Sequence, residues 1–248
     1  MYLKKIKFYE KVIDNIKTIL YALLIALVIR SLFFQPFYIP SSSMEPTLLI
    51  GDRIFVSKFS YGYSKHSFPF SPPIFSKRIL FKKPNYGDLI VFKTPADNRT
   101  DYIKRLIGLP GDSVQFIDGN IILNGEKIKR DKINLSINIR CGTSNLESVF
   151  YRETLPNGAQ YIAAYNKDFT ILNTDKYIVP ANHYFFLGDN RDCSKDSRFL
   201  TSVGYVNYIN IVGKAKMIFF SNDTVESSIL KFWNWKKTLR IDRFFNIL

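Results

Sequence analysis

Histidine and cysteine are scarce in this chain, two of each among 248 residues, and the spacing of Cys141 and Cys193 matches no zinc or redox motif. A metal site is therefore not expected, and neither is a cofactor. Acidic side chains are in deficit as well: 21 Asp and Glu stand against 35 Lys and Arg, a formal charge of +14. That sign favours an anionic partner, either a lipid headgroup surface or nucleic acid, and charge alone does not choose between them. Repeats and low-complexity tracts are missing, and there is one long apolar run, not two. Hydrophobic residues are plentiful at 46%, enough to bury a substantial core in one large β domain or two smaller ones and to exclude a disordered chain.

The apolar run lies near the start. Ile19 to Ile29 carries no charge, and apolar character resumes at Leu32 to Phe34 after Arg30 and Ser31. Ile16 to Phe34 counts 19 residues, a helix of about 28 Å against a hydrocarbon thickness of ~30 Å. A cleavable signal peptide needs a small-x-small site soon after its apolar core. The first such site, Ser41 to Ser43, lies about a dozen residues past Ile29 and beside Pro40, so a retained anchor is expected over 16–36. Arg30 can snorkel to the far interface. Lys4, Lys5, Lys7, Lys11 and Lys17 outnumber Glu10 and Asp14. The positive-inside rule then leaves 1–15 in the cytoplasm and puts 37–248 outside.

After the anchor, short apolar runs recur between turn signals, a β-rich pattern. Expected strands are Arg53 to Phe59, Asp88 to Lys93, Gln160 to Tyr165, His183 to Leu187 and Ile211 to Phe220, with Ser113 to Ile117 and Asn120 to Leu123 joined as a hairpin across Asp118-Gly119. From Arg53 to Gly87 there are seven basic residues and no acidic one, interleaved with aromatics from Phe55 to Tyr86. This reads either as a solvated loop with rings tucked into the core or as a surface resting on anionic lipid. A nucleic-acid surface would use the same residues, but on the wrong side of the membrane to meet its ligand. The stretch Ile229 to Leu248, with Trp233, Trp235, Lys236, Lys237, Arg240, Arg243, Phe244 and Phe245, poses the same choice between a packed helix and lipid contact.

Four segments carry chemistry. Pro40-Ser41-Ser42-Ser43-Met44-Glu45-Pro46-Thr47 follows the anchor, and Tyr86-Gly87-Asp88-Leu89-Ile90-Val91-Phe92 comes next. Asp101-Tyr102-Ile103-Lys104-Arg105-Leu106-Ile107-Gly108-Leu109-Pro110-Gly111-Asp112 sets a lysine among apolar neighbours, where burial favours the neutral amine. Gly188-Asp189-Asn190-Arg191-Asp192-Cys193-Ser194-Lys195-Asp196-Ser197-Arg198 packs polar groups that need internal hydrogen bonds. Taken singly, the serines read as a turn or helix cap, Lys104 as a solvated cation and the last segment as an Asx-rich turn. A calcium loop is disfavoured by Arg191, Lys195 and Arg198 and by the absence of the closing glutamate. His183 followed by Asp189 sketches a triad, but neither His183 nor His66 has a matching context.

Together the four segments resemble the bacterial type I signal peptidases, a family of Ser/Lys-dyad serine proteases, in order and spacing from the anchor to about Gly213. The resemblance implies a mostly β catalytic domain on a single N-terminal transmembrane helix, with a non-catalytic insertion around 124–175. It implies removal of signal peptides after small residues at Ala-x-Ala sites, on the outer face of the bacterial inner membrane, with signal peptides of exported preproteins and the anionic phospholipid membrane as partners. Position by position, it places the nucleophile at Ser43, the general base at Lys104, and the oxyanion donors at the Ser43 amide and Ser41 hydroxyl. Ser194 corresponds to the serine that hydrogen-bonds the lysine, and Asp196 with Arg198 to a supporting ion pair. Phe37, Ile39, Tyr102 and Ile103 correspond to the walls of small-residue pockets. Cys193 departs from the family, where asparagine is common, and whether it pairs with Cys141 stays open. The rival from another class is an anchored, noncatalytic lipid-binding or assembly module.

Overall fold

The structure is a computed structural model and describes residues 2–73, 76–142, 144–167, 170–223 and 232–248. One long helix, α1 (Tyr2–Leu32), precedes a body built from β-strands. Within it Tyr9–Leu32, 24 residues whose most apolar 18-residue window has mean hydropathy 2.0, is long and apolar enough to cross a membrane, and none of that window is buried within the molecule. The helix begins at Tyr2 and ends at Leu32, so neither the expected start at 16 nor the expected end at 36 coincides with it. Its end has a local cause. Pro36 has no backbone N–H and disfavours helix in the residue before it, and Phe34–Tyr38 forms β1, paired antiparallel with β2 (Asp52–Ser57).

The main sheet continues with β3 (Leu89–Lys93) and β4 (Asp101–Gly108), while the next two strands, β5 (Ser113–Ile117) and β6 (Asn120–Leu123), belong to another sheet. The β5–β6 hairpin is as expected, with Asp118 at φ 47° and Gly119 at φ 68°, the positive pair that a two-residue turn of type I′ requires. The intervening region holds β7 (Glu126–Lys127), β8 (Lys129–Ile133), β9 (Ile139–Cys141), β10 (Ser144–Leu146), β11 (Ser148–Thr154) and β12 (Gln160–Asn166). Then come β13 (Tyr177–Ile178), β14 (His183–Leu187), β15 (Val206–Asn207), β16 (Ile211–Ser221) and β17 (Asn246–Ile247). The main sheet runs β1-β2-β16-β3-β4-β14-β15, with β17 also on β16. The β8, β11 and β12 strands form a separate three-stranded sheet within the 124–175 region.

This order leaves two open edges. Strand β1 is paired on one side only, with β2. Strand β4 pairs with β3 from Asp101 to Arg105, but with β14 only from Arg105 to Gly108, so Asp101 to Lys104 is unpaired along its other side. The sheet curls until these edges face each other across a cleft walled by both strands. Beneath it, Ile39, Met44, Leu48, Ile54, Leu89, Val91 and Val212 form one core cluster, against which Phe37 and Ile103 are half-buried.

The C-terminal stretch is not one packed helix. Its described part makes a short turn of helix, α2 (Trp235–Thr238), and then the β17 pairing with Met217 and Ile218. Arg240 reaches Asp223, and Arg243 reaches Asp52, each at 2.6 Å. Residues 229–231, the rest of that stretch, lie outside the described residues.

Candidate active site

Ser42–Met44 forms a single 3₁₀ turn directly after β1, and Ser42, Ser43 and Met44 are all buried in it. The turn sits at the closed end of the cleft, a cavity of about 560 Å³ between the two open edges. Phe37, Ile39, Tyr102 and Ile103 line it, as do Ser41, Ser43 and Lys104, so seven of the expected residues are brought together. Met44, Ile54, Val91, Cys193 and Lys195 complete much of the wall. The β period explains part of this: Phe37 and Ile39 alternate on one side of their strand, two residues apart.

Lys104 projects from the unpaired half of β4 and is 3% exposed. Its Nζ lies 2.6 Å from Ser43 Oγ and 5.5 Å from the centre of the Tyr102 ring. Burial brings its pKa down to about 8, against the opposing pull of Asp196 and Asp189 and with some help from Arg198. The desolvation of an ammonium is the dominant cause, as expected where a cation leaves water without an adjacent carboxylate. Ser41 Oγ stands 3.3 Å from Ser43 Oγ.

Asp196 and Arg198 form a buried pair, with Nε to Oδ1 at 2.8 Å and Nη2 to Oδ2 at 2.9 Å. Asp196 also accepts the Gly188 N–H at 3.0 Å, which ties down the backbone that approaches the Ser43 carbonyl. Ser194 is buried beside them, but its Oγ has no hydrogen-bond partner. The lysine contact implied by the family resemblance is therefore not made, because this hydroxyl is packed against the α-carbon of Gly188 while Lys104 turns to Ser43. A methyl group on Gly188 would stand 2.2 Å from Ser194 Oγ and 2.5 Å from the Ser43 carbonyl oxygen. Gly188→Ala is expected to push the loop off the nucleophile turn and lower kcat/KM by about a hundredfold, with about 1–3 kcal/mol of destabilisation. Kinetics and a urea titration on the same preparation check both numbers.

The histidines are engaged elsewhere. His66 is buried with Nδ1 2.9 Å from Ser71 Oγ, and burial, with Lys65 and other nearby cations, brings its pKa down to about 4. His183 Nδ1 lies 2.8 Å from the Ala181 carbonyl oxygen, while Asp189 is held by Arg105 at 2.8 and 2.6 Å. Neither histidine makes a hydrogen bond with Ser43.

Several residues that shape the site were not singled out by role in the sequence. Cys141 and Cys193 form a disulfide, Cα atoms 5.5 Å apart. Asn190 donates through its side chain to the Ser42 carbonyl at 3.1 Å and the Arg140 carbonyl at 2.9 Å. Arg191, which looked like surplus positive charge, is fully buried against Glu153 at 2.8 Å. Polar density in the 188–198 segment was the signal, but its partners come from distant strands.

Comparison with known proteins shows the family. The family described as signal peptidase, peptidase S26, matches residues 12–220. The chain belongs to the signal peptidase family. It is a serine endopeptidase of that family, and its relatives match along nearly the whole length. The signal peptidase I of Rickettsia typhi is 41% identical over 245 residues, covering 92% of this chain and 90% of that protein. That of Rickettsia canadensis is 42% identical over 249 residues, covering 94% and 92%. A solved signal peptidase I from Enterococcus faecalis V583 is 27% identical, covers 54% of this chain and 97% of its own, and has a TM-score of 0.32.

Proposed function

We propose that this signal peptidase is tethered to a bacterial inner membrane by α1, with its catalytic body on the outer face, and cleaves exported preproteins after small residues through a Ser43/Lys104 dyad. The observation that carries the reading is the 2.6 Å contact between a buried Lys104 amine and the Ser43 hydroxyl. Neutral Lys104 accepts the proton of Ser43 as Oγ attacks the scissile carbonyl; the resulting ammonium gives that proton to the leaving amine. Lys104 then takes a proton from the water that releases the acyl group. An extended substrate fits the gap between β1 and β4, where both strands present unpaired backbone groups and short side chains suit the apolar walls.

In this reading the Ser43 amide and the Ser41 hydroxyl, whose Oγ lies 3.3 Å from Ser43 Oγ, receive the oxyanion. Ser41→Ala is expected to lower kcat 100- to 1,000-fold, about 2.7–4 kcal/mol, while barely changing KM, because that donor acts when charge develops. Ser41→Thr keeps the hydroxyl and retains more activity; equal activity in all three proteins would make Ser41 a turn residue only. The exposed Phe33, Phe34 and Phe59 lie where α1 meets the sheet, with the Phe34 and Phe59 rings in contact, in keeping with a face lying on lipid. Full-length protein in detergent, given a preprotein with an Ala-x-Ala site, tests the whole reading. An anchored noncatalytic module would release no mature product.

A further inference from the structure

Five consecutive residues, 189–193, are each joined to the 124–175 region. The Asp189 carbonyl accepts from the Ala164 N–H at 2.8 Å. The Asn190 side chain donates to the Arg140 carbonyl, and Arg191 pairs with Glu153. Asp192 accepts the Asn166 N–H at 2.7 Å, and Cys193 is bonded to Cys141. The same segment grips the nucleophile turn. The Asn190 N–H donates to the Ser43 carbonyl at 3.2 Å, and its side-chain amide donates to the Ser42 carbonyl at 3.1 Å. From the other side, the Arg140 N–H donates to Glu45 at 2.9 Å.

One of these bonds bears on the chemistry directly. The Ser42 carbonyl and the Ser43 N–H belong to one planar peptide unit, so fixing the first fixes the direction of the second. The Ser43 N–H is the backbone oxyanion donor of the proposed mechanism. A donor on the carbonyl also polarises the same unit and strengthens its N–H as a donor.

The structure assigns to Asn190, clamped by strand β9 and the Cys141–Cys193 disulfide, the task of aiming the Ser43 amide, which makes the 124–175 region part of the catalytic apparatus. The assignment rests on Ser43 as the nucleophile. Asn190 is a positioning residue: its two side-chain donors are divided between the nucleophile turn and β9, and the disulfide one residue beyond Arg140 keeps β9 in place. The Ser42 carbonyl also accepts the Glu45 N–H at 3.0 Å, within the turn itself; loss of either outside support leaves that local bond alone to hold the peptide plane, without removing Ser43, Ser41 or Lys104.

The test uses full-length protein in detergent and a short peptide substrate, comparing wild type, Asn190→Ala, the double variant Cys141→Ser/Cys193→Ser and their combination. Asn190→Ala is expected to lower kcat about a hundredfold with KM within about twofold, the scale of a lost oxyanion donor. The double cysteine variant is expected to lose about tenfold in kcat. The combination is expected to be no worse than Asn190→Ala alone, because both act on one clamp. The pH profile of the remaining activity should keep its wild-type midpoint, since Lys104 is untouched.

Losses that multiply, a midpoint that moves with Asn190→Ala, or an effect confined to KM would each overturn the clamp. Reduction of the wild type by a thiol provides a route that needs no variant: kcat should fall as free thiols appear and return on reoxidation, and an unchanged kcat in fully reduced, folded enzyme overturns the role of the disulfide. Ser43→Ala in the same series separates the two readings. Turnover by that variant removes the nucleophile; an inactive Ser43→Ala beside a fully active, folded Asn190→Ala removes the clamp alone.

Discussion

Ser43→Ala and Lys104→Ala are each expected to abolish preprotein cleavage in protein that still folds, while His183→Ala keeps nearly full activity. In the proposed mechanism the first loses the nucleophile and the second the base beside it, and both side chains line the cleft. His183 has no such effect to exert, since its ring is engaged with Ala181 and Asn207. Cleavage of an Ala-x-Ala preprotein, quantified by the appearance of mature product, checks all three. Stability should move in the opposite direction for one variant. Lys104 has its pKa lowered from 10.5 to about 8 by burial, and at pH 7 the folded state holds an ammonium it would rather not hold. The cost approaches about 3 kcal/mol at most, so Lys104→Met should be inactive and more stable at neutral pH. The sign follows from linkage: between pH 8 and 10.5 the unfolded chain binds the proton and the folded chain does not, so wild-type stability rises through that window. A denaturant series on wild type and Lys104→Met at pH 7 and pH 10 checks this, with the gap closing at the higher pH.

The pH dependence of kcat/KM should show an alkaline limb centred near pH 8. The free enzyme must present a neutral amine, so between pH 6 and pH 9 the competent fraction grows by about two orders of magnitude. A histidine base would place the limb near 6.5 or lower. Lys104→Arg keeps the charge but removes both limb and activity, because guanidinium does not deprotonate in this range. The measurement is made on a short peptide in detergent, which removes surface-potential effects. A limb near pH 6 that survives in Lys104→Arg would exclude Lys104 as the base.

The parts of this site that were legible in the sequence are those written in contiguous segments. Ser43 beside Met44, Lys104 among its apolar neighbours, and the 188–198 segment needed only local spacing and a family likeness. The β5–β6 hairpin was legible because Asp118-Gly119 suits its turn on its own. What escaped was long-range. Asn190 meets Ser42 across 148 residues and Arg140 across 50, and no periodicity encodes such a meeting. The end of α1 at Leu32 was not legible either, because Phe33 and Phe34 continue its apolar character up to and into an edge strand. Ser194 was assigned a lysine contact that the close approach of Gly188 does not leave it. Strand β4 was not drawn at all, since Lys104 and Arg105 break its pattern and are buried for the site's sake.

Arg105 with Asp189, Arg191 with Glu153 and Arg198 with Asp196 are three buried ion pairs arranged behind the nucleophile. At room temperature such pairs contribute little net stability, since desolvation offsets attraction. Heat changes that balance, because the hydration given up by each charge becomes less favourable as temperature rises. On that ground the surroundings of Ser43 are expected to hold on warming until the whole body melts, so activity in a heating series should fall together with the loss of tertiary structure and not ahead of it.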